Sequence, residues 1–148
     1  MKLPEYDTTD AIGQAEWVRN GDVQPSELLD AAMERIEARN PKLNAVVLKT
    51  YDRAKQRVDT LPDGPFKGVP FLVKNLKMQI EGTVTTDSCV HYKDRICTET
   101  SVLAARYEAA GLQVLGKTNS PEFGIMGTSE PELHGPTRNP WDTNHTPG

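Results

Sequence analysis

The sequence predicts an α/β fold, and three observations carry the prediction. Two short runs, residues 69–73 and 112–116, have the strand length and apolar character of strands covered on both faces, the first bounded by Gly and Pro. Between them, residues 99–110 carry a helical apolar period that stops at Gly111. Strand, crossover helix and strand make a βαβ unit, so the two strands should be parallel and the crossover right-handed.

The elements ahead of this unit read in order. Ala11, Ile12, Ala15 and Val18 mark the apolar stripe of a first helix, which Asn20-Gly21 ends. Pro25 suits a first helical position, and Glu27 places negative charge in the favourable first turn. Leu28, Leu29, Ala32, Met33 and Ile36 then carry a second stripe up to Asn40-Pro41. Residues 45–48 form a short strand candidate. Tyr51, Ala54 and Val58 mark a further helix before the breakers of 61–65.

Within the unit, residues 75–98 show little periodicity, and residues 83–88 are nearly all small and polar. Such a stretch is either a solvated surface loop or a functional segment. In the crossover helix, Val102, Leu103, Arg106, Tyr107 and Ala110 lie on one side. After Asn119 the chain is rich in Gly, Pro, Ser and Thr, with a short helix expected near 121–126.

With 148 residues the chain suits one domain: a helical region over about 8–60, then the start of an α/β core over about 61–148. Its apolar fraction of 36% stays below the ~45–50% of globular domains even when the 11 glycines are counted. A net charge of −4 without a Lys/Arg block leaves no footprint for nucleic acid. The amino terminus lacks a signal-peptide apolar region, and no stretch approaches the ~20 apolar residues of a membrane span, so a cytoplasmic protein is expected. Cys89 and Cys97 read as free thiols, and His91, His134 and His145 as isolated loop or surface residues.

The most informative position is Lys74, which closes the run Gly68-Val69-Pro70-Phe71-Leu72-Val73. An ammonium at the end of a core strand reaches water, finds a carboxylate or gives up its proton; the last option makes a base. In a parallel pair both carboxyl ends lie on one sheet edge. Lys74 and residues 117–119 should therefore emerge together, where open α/β sheets place ligands.

Four motifs in order then carry a resemblance: Asn40-Pro41-Lys42-Leu43-Asn44-Ala45; residues 64–74 ending in Lys74; Gly116-Lys117-Thr118-Asn119; and Asn139-Pro140-Trp141-Asp142 followed by Pro147-Gly148. Together they resemble the N-terminal part of the amidase signature family, from about Ala11 onward. The resemblance implies hydrolysis of a carboxylic amide by a Ser–cis-Ser–Lys triad, with no metal or organic cofactor and a small-molecule amide as substrate. It makes Lys74 the triad lysine, which accepts a proton from the bridging serine, which in turn relays it from the nucleophile. Gly124, Ile125, Met126 and Thr128 are then expected to line part of the acyl pocket. The two serines are expected in a Gly/Ser-rich loop and beyond it, past Gly148, in a missing C-terminal portion of the same domain.

Two positions depart from the family pattern. Asn75 stands where Asp usually follows the lysine, and Asp87 stands where Gly is usual. The second puts the loop conformation in question, because Gly adopts positive φ more readily. Alternatives to a stand-alone amidase are the amidase subunit of a tRNA-dependent amidotransferase, and an inactive remnant or interaction module. Residues 123–131 look closer to stand-alone amidases, among them hydrolases of nylon oligomers. Homo-oligomerisation is left open. The 148 residues alone are expected to hydrolyse no amide, and to expose a sheet edge and an apolar face.

Overall fold

The computed structural model describes residue 3 and residues 5–148. The expectation about the amino-terminal segment falls partly on residues 1, 2 and 4, outside the described residues. The elements are α1 (Ala11–Asn20), α2 (Pro25–Leu43), β1 (Val46–Lys49), α3 (Tyr51–Arg57), β2 (Pro70–Lys74), α4 (Val102–Ala109) and β3 (Gln113–Thr118), with short 3-10 turns at Val58–Thr60, Val90–Tyr92 and Glu122–Gly124. The sheet order is β1-β3-β2; β2 runs parallel to β3, and β1 antiparallel. The α/β class and the parallel unit are as the sequence indicates.

Local chemistry accounts for the helix ends. Asp10 accepts from the Gly13 N–H at 2.9 Å and caps α1, which stops at Gly21 in the left-handed region. The Gln24 N–H donates to Glu27 at 2.8 Å at the start of α2. That helix does not stop at Asn40-Pro41: it runs through Pro41 to Leu43, with Asn44 as a left-handed cap. Pro41 sits in the last turn. The Asn40 side chain accepts from the N–H groups of Ala45 and Val46 at 2.8 and 2.7 Å and carries the chain into β1. The turn is thus held by a side chain, and the break comes three residues later than expected.

β3 is the centre of the molecule. Leu115 packs on one face with Leu29, Ala32 and Met33 of α2 and Ala54 of α3; Val114 packs on the other with Val73, Ile80 and Ala104. β2 is an edge strand. Pro70, Phe71 and Leu72 are only half-buried, so the expectation of a strand covered on both faces holds for β3 and not for β2. Two helical stripes are also rotated from expectation. On α1 Ile12 is exposed while Gln14 and Ala15 are buried, and on α4 Val102 and Leu103 are exposed while Ala104 is buried. The buried apolar residue is small in each: Ala15 packs with Val69 and Leu112, and Ala104 with Val73, Ile80 and Val114. No helix among the described residues is long and apolar enough to cross a membrane.

Candidate active site

The carboxyl ends of β2 and β3 meet as the pattern requires. Lys74 pairs with Thr118, and the Asn75 N–H continues the ladder to the Thr118 carbonyl at 2.9 Å. Lys74 itself faces solvent, so of the three outcomes open to an ammonium at this strand end these residues show contact with water. Its strand is at the sheet edge, and its place at the strand's last position leaves the side chain clear of the core.

Residues 75–98 are a solvated loop only in part: 90–94 are exposed, but the small polar run is not. Asn75, Thr83, Thr85, Thr86, Asp87 and Ser88 are all buried, folded over the sheet edge. The segment closes on itself through an isolated bridge between Val84 and Ile96 and a 2.8 Å bond from the Cys97 N–H to the Thr83 carbonyl. A polar stretch is buried at low cost only when its groups are paired, and here they are.

Lys117 forms one centre of that pairing. It has no solvent exposure and donates to Thr83 Oγ1 at 2.9 Å, to the Val84 carbonyl at 2.7 Å and to Thr85 Oγ1. Both hydroxyls spend their own hydrogens on carbonyls, Thr83 on Ile80 and Thr85 on Met78, so both act as acceptors toward Lys117. Three acceptors around one nitrogen suit an ammonium. Burial, with Arg53 and Arg95 adding to it, lowers the pKa of this lysine to about 8, which still leaves it charged at neutral pH.

Asn75 and Thr86 form a second centre. Asn75 Nδ2 donates to Thr86 Oγ1 at 2.6 Å, and the Thr86 N–H donates back to Asn75 Oδ1 at 3.0 Å. His134 joins them: its Nε2 lies 3.2 Å from Asn75 Nδ2 and 3.2 Å from Thr86 Oγ1. It is thus not an isolated loop histidine, and burial lowers its pKa below 6.5. The loop that carries it is tied down by Asn44, whose Nδ2 donates to the His134 carbonyl at 2.7 Å, and by Asn119, whose Nδ2 donates to the Gly135 carbonyl and to Thr137 Oγ1. Ser88 and Ser120, both buried, are hydrogen-bonded to each other at 3.1 Å.

Asp87 keeps the conformation that glycine would favour, with φ at 49°, followed by Ser88 at 58°. Its carboxylate holds it there by accepting from the Lys77 N–H at 2.8 Å and from Arg95 at 3.0 Å. Burial works to raise its pKa, but these partners hold it below the usual carboxylate range. The departure from glycine is therefore accommodated by side-chain hydrogen bonds.

The segment expected to line a pocket docks beside this network. The Phe123 N–H donates to the Asp87 carbonyl at 3.0 Å. Gly124, at φ 72°, sits so close to Leu76 that a Cβ there would come within 2.7 Å of Leu76 Cδ2. This places Gly124 against the residue two past Lys74. Ile125 and Met126 are 78% and 64% exposed, and Met126 and Thr128 line a shallow hollow of about 270 Å³ with Pro121, Glu122, Glu130, Pro131 and Glu132. Cys89 and Cys97 are buried free thiols.

Sequence reasoning missed Lys117 as the buried lysine, and missed His134. The signal for Lys117 was present: it follows an apolar run of the same kind as the one before Lys74. His134 had no local signal, because its partners lie 48 and 59 residues away.

Comparison with known proteins shows the family to which the chain is similar. The sequence model of the family described as amidase matches residues 27–148. The 6-aminohexanoate-cyclic-dimer hydrolase of Paenarthrobacter ureafaciens is 40% identical over 94% of this chain and 28% of its own length. A glutamyl-tRNA(Gln) amidotransferase subunit of Synechococcus sp. (strain WH7803) is 34% identical over 90% of this chain and 30% of its own length. A solved structure of 6-aminohexanoate cyclic dimer hydrolase complexed with substrate superposes with a TM-score of 0.90 at 38% identity, covering 97% of this chain and 30% of that one. The chain thus spans under a third of the length of these relatives.

Proposed function

This chain belongs to the amidase family, and we propose that Lys74 is the lysine of a Ser–cis-Ser–Lys site that hydrolyses a carboxylic amide in the whole protein. The observation that carries the reading is the placement of Lys74. It closes β2 at the carboxyl edge of the parallel pair, beside a buried polar network and next to the segment holding Gly124. The two serines are assigned to the part of the family domain that the chain does not span, and residues 1–148 to the N-terminal part of that single domain.

The chemistry proceeds by proton relay. The nucleophilic serine gives its proton to the bridging serine, which gives its own to the Lys74 amine, and the Ser Oγ–C bond forms at the amide carbon. The C–N bond then breaks, and the amine leaves with the proton returned from Lys74. Water then attacks the acyl carbon and gives its proton through the bridging serine to Lys74; the Ser Oγ–C bond breaks, the acid leaves, and the proton returns from Lys74 to the serine oxygen. Exposed Ile125 and Met126, which follow Gly124, favour an aliphatic acyl group, in keeping with the 40% identity to a 6-aminohexanoate-cyclic-dimer hydrolase. The subunit reading ranks second, on the lower identity to the amidotransferase component. A cytoplasmic location belongs to the same reading.

The test is Lys74→Ala in the whole protein, assayed by amine release from 6-aminohexanoate cyclic dimer and from linear aliphatic amides. Activity should fall by at least about a thousandfold, because residues that act as a unit fail together. A variant that retains more than about a tenth of wild-type kcat would overturn the assignment.

A further inference from the structure

The donor and acceptor inventory around Asn75 closes in only one way. Thr86 Oγ1 accepts from Asn75 Nδ2 and from the Ser88 N–H at 3.0 Å, so both its lone pairs are taken and its hydrogen has to donate. The one acceptor in reach is His134 Nε2 at 3.2 Å. Asn75 is oriented by the Thr86 N–H on its oxygen, so its second amide hydrogen also faces His134 Nε2, at 3.2 Å. Two donors converge on one ring nitrogen, which therefore carries a lone pair and not a proton.

We propose that His134 is a positioning residue for Lys74: its unprotonated Nε2 accepts from Asn75 and Thr86, and this locks the backbone immediately after the lysine. Asn75 is fully buried, follows Lys74 directly and carries the last ladder bond of β2 to Thr118. Its side chain joins the strand end to the 83–88 segment, and the imidazole holds that junction from the far side. Protonation of Nε2 sets a third hydrogen against two donors and opens the junction.

The groups that meet the ring are Asn75 from the end of β2 and Thr86 from the folded-over segment, both uncharged. The turn after α2 contributes uncharged Asn44, to the His134 carbonyl. The charged neighbours of Thr86 are engaged with one another, Asp87 with Lys77 and Arg95, and Lys74 adjoins Asn75. Burial favours the neutral ring, with a pKa below 6.5. A depressed folded-state pKa means that the stabilisation is present above about 6.5 and is lost as the pH falls through the lower, folded value.

The role in catalysis rests on Lys74 being the triad lysine; the hydrogen-bond arrangement does not. The first measurement is nitrogen NMR of the histidine-labelled chain through a pH titration. His134 should show an unprotonated Nε2 and a protonated Nδ1, and the Asn75 side-chain amide should shift with the same midpoint, below 6.5. An Nε2–H tautomer, or an imidazole that titrates as a free one, overturns the proposal. The second measurement is kinetic, in the whole protein. His134→Phe should lower kcat about tenfold with KM changed less than about twofold, as loss of a supporting hydrogen bond does. His134→Gln, which keeps an acceptor without a titrating proton, should retain kcat within about twofold and lose the part of the acid-side fall in rate that follows the His134 titration seen by NMR. Wild-type kcat in His134→Phe overturns the positioning role, whereas an active Lys74→Ala protein overturns the triad reading, so the two failures are distinguishable.

Discussion

Lys74 and Lys117 end neighbouring strands at one sheet edge, each after an apolar run, yet they have opposite environments. Lys117 pairs with Val73, and Lys74 pairs with Thr118, one position further on. Side chains alternate along a strand, so this one-residue offset sends the two lysines to opposite faces. Lys117 turns under the folded-over segment and is wholly buried among three acceptors, while Lys74 turns to solvent. The position of the strand adds to the parity: β3 is central and β2 is an edge. An apolar run that ends in lysine identifies the sheet edge, but parity and strand order decide which lysine is buried and which faces solvent.

The sharpest way to break that contrast is to remove each ammonium in turn. Lys117→Met leaves Thr83 Oγ1, Thr85 Oγ1 and the Val84 carbonyl buried without their donor. Unsatisfied buried groups cost about 1–3 kcal/mol each, so a loss of about 3 kcal/mol or more is expected in urea denaturation. Lys74→Met, at an exposed position, should change stability by no more than about 0.5 kcal/mol. Equal shifts for the two variants would show that the burial difference has no energetic weight.

A second measurement uses pH. The folded-state pKa of Lys117 is lowered to about 8 from 10.5. Between those values the unfolded chain keeps a proton that the folded chain has released, so the unfolded state binds more protons and stability rises with pH. Below pH 8 both states are protonated and this slope vanishes. The wild-type chain should therefore gain stability from pH 8 to 10.5 relative to Lys117→Met, as read by the denaturation midpoint of each across that window. A parallel pH course for the two proteins would remove Lys117 as the source.

The same contrast explains what was legible in the sequence. Local signals placed the parallel pair, α2, α4 and the shared edge of Lys74 and Lys117, because strand runs and helix stops are written in neighbouring residues. Packing decided the rest. The expected stop at Asn40-Pro41 is displaced to Leu43, and the Asn40 side chain, which accepts from Ala45 and Val46, is tied to residues beyond the helix. The burial of 83–88 depends on Lys117, more than 30 residues away, and on Asn75. His134 enters the site because Asn44, 90 residues earlier, holds its carbonyl. Long-range polar pairs of this kind leave no period in the sequence.

The smallest expected effect tests strand order directly, with two leucines of similar type. Leu115 in β3 is fully buried between α2 and α3, whereas Leu72 in β2 is half-buried at the rim of the same cluster. The cross-strand neighbour of Leu72 is Gly116, which offers no side chain, so its support comes mainly from the cluster side. An open hollow of about 440 Å³ beside it, lined in part by Tyr6, Ile36 and Pro70, gives the site room to relax. Leu115→Ala should cost about 3 kcal/mol, within the range for a buried leucine that leaves a cavity. Leu72→Ala should cost only about 1 kcal/mol, since less apolar area is lost from contact and the rim can close. Both are read from denaturant midpoints at constant m-value. If Leu72→Ala proved as costly as Leu115→Ala, β2 would be as well covered as β3, and the edge position of Lys74 would no longer explain its exposure.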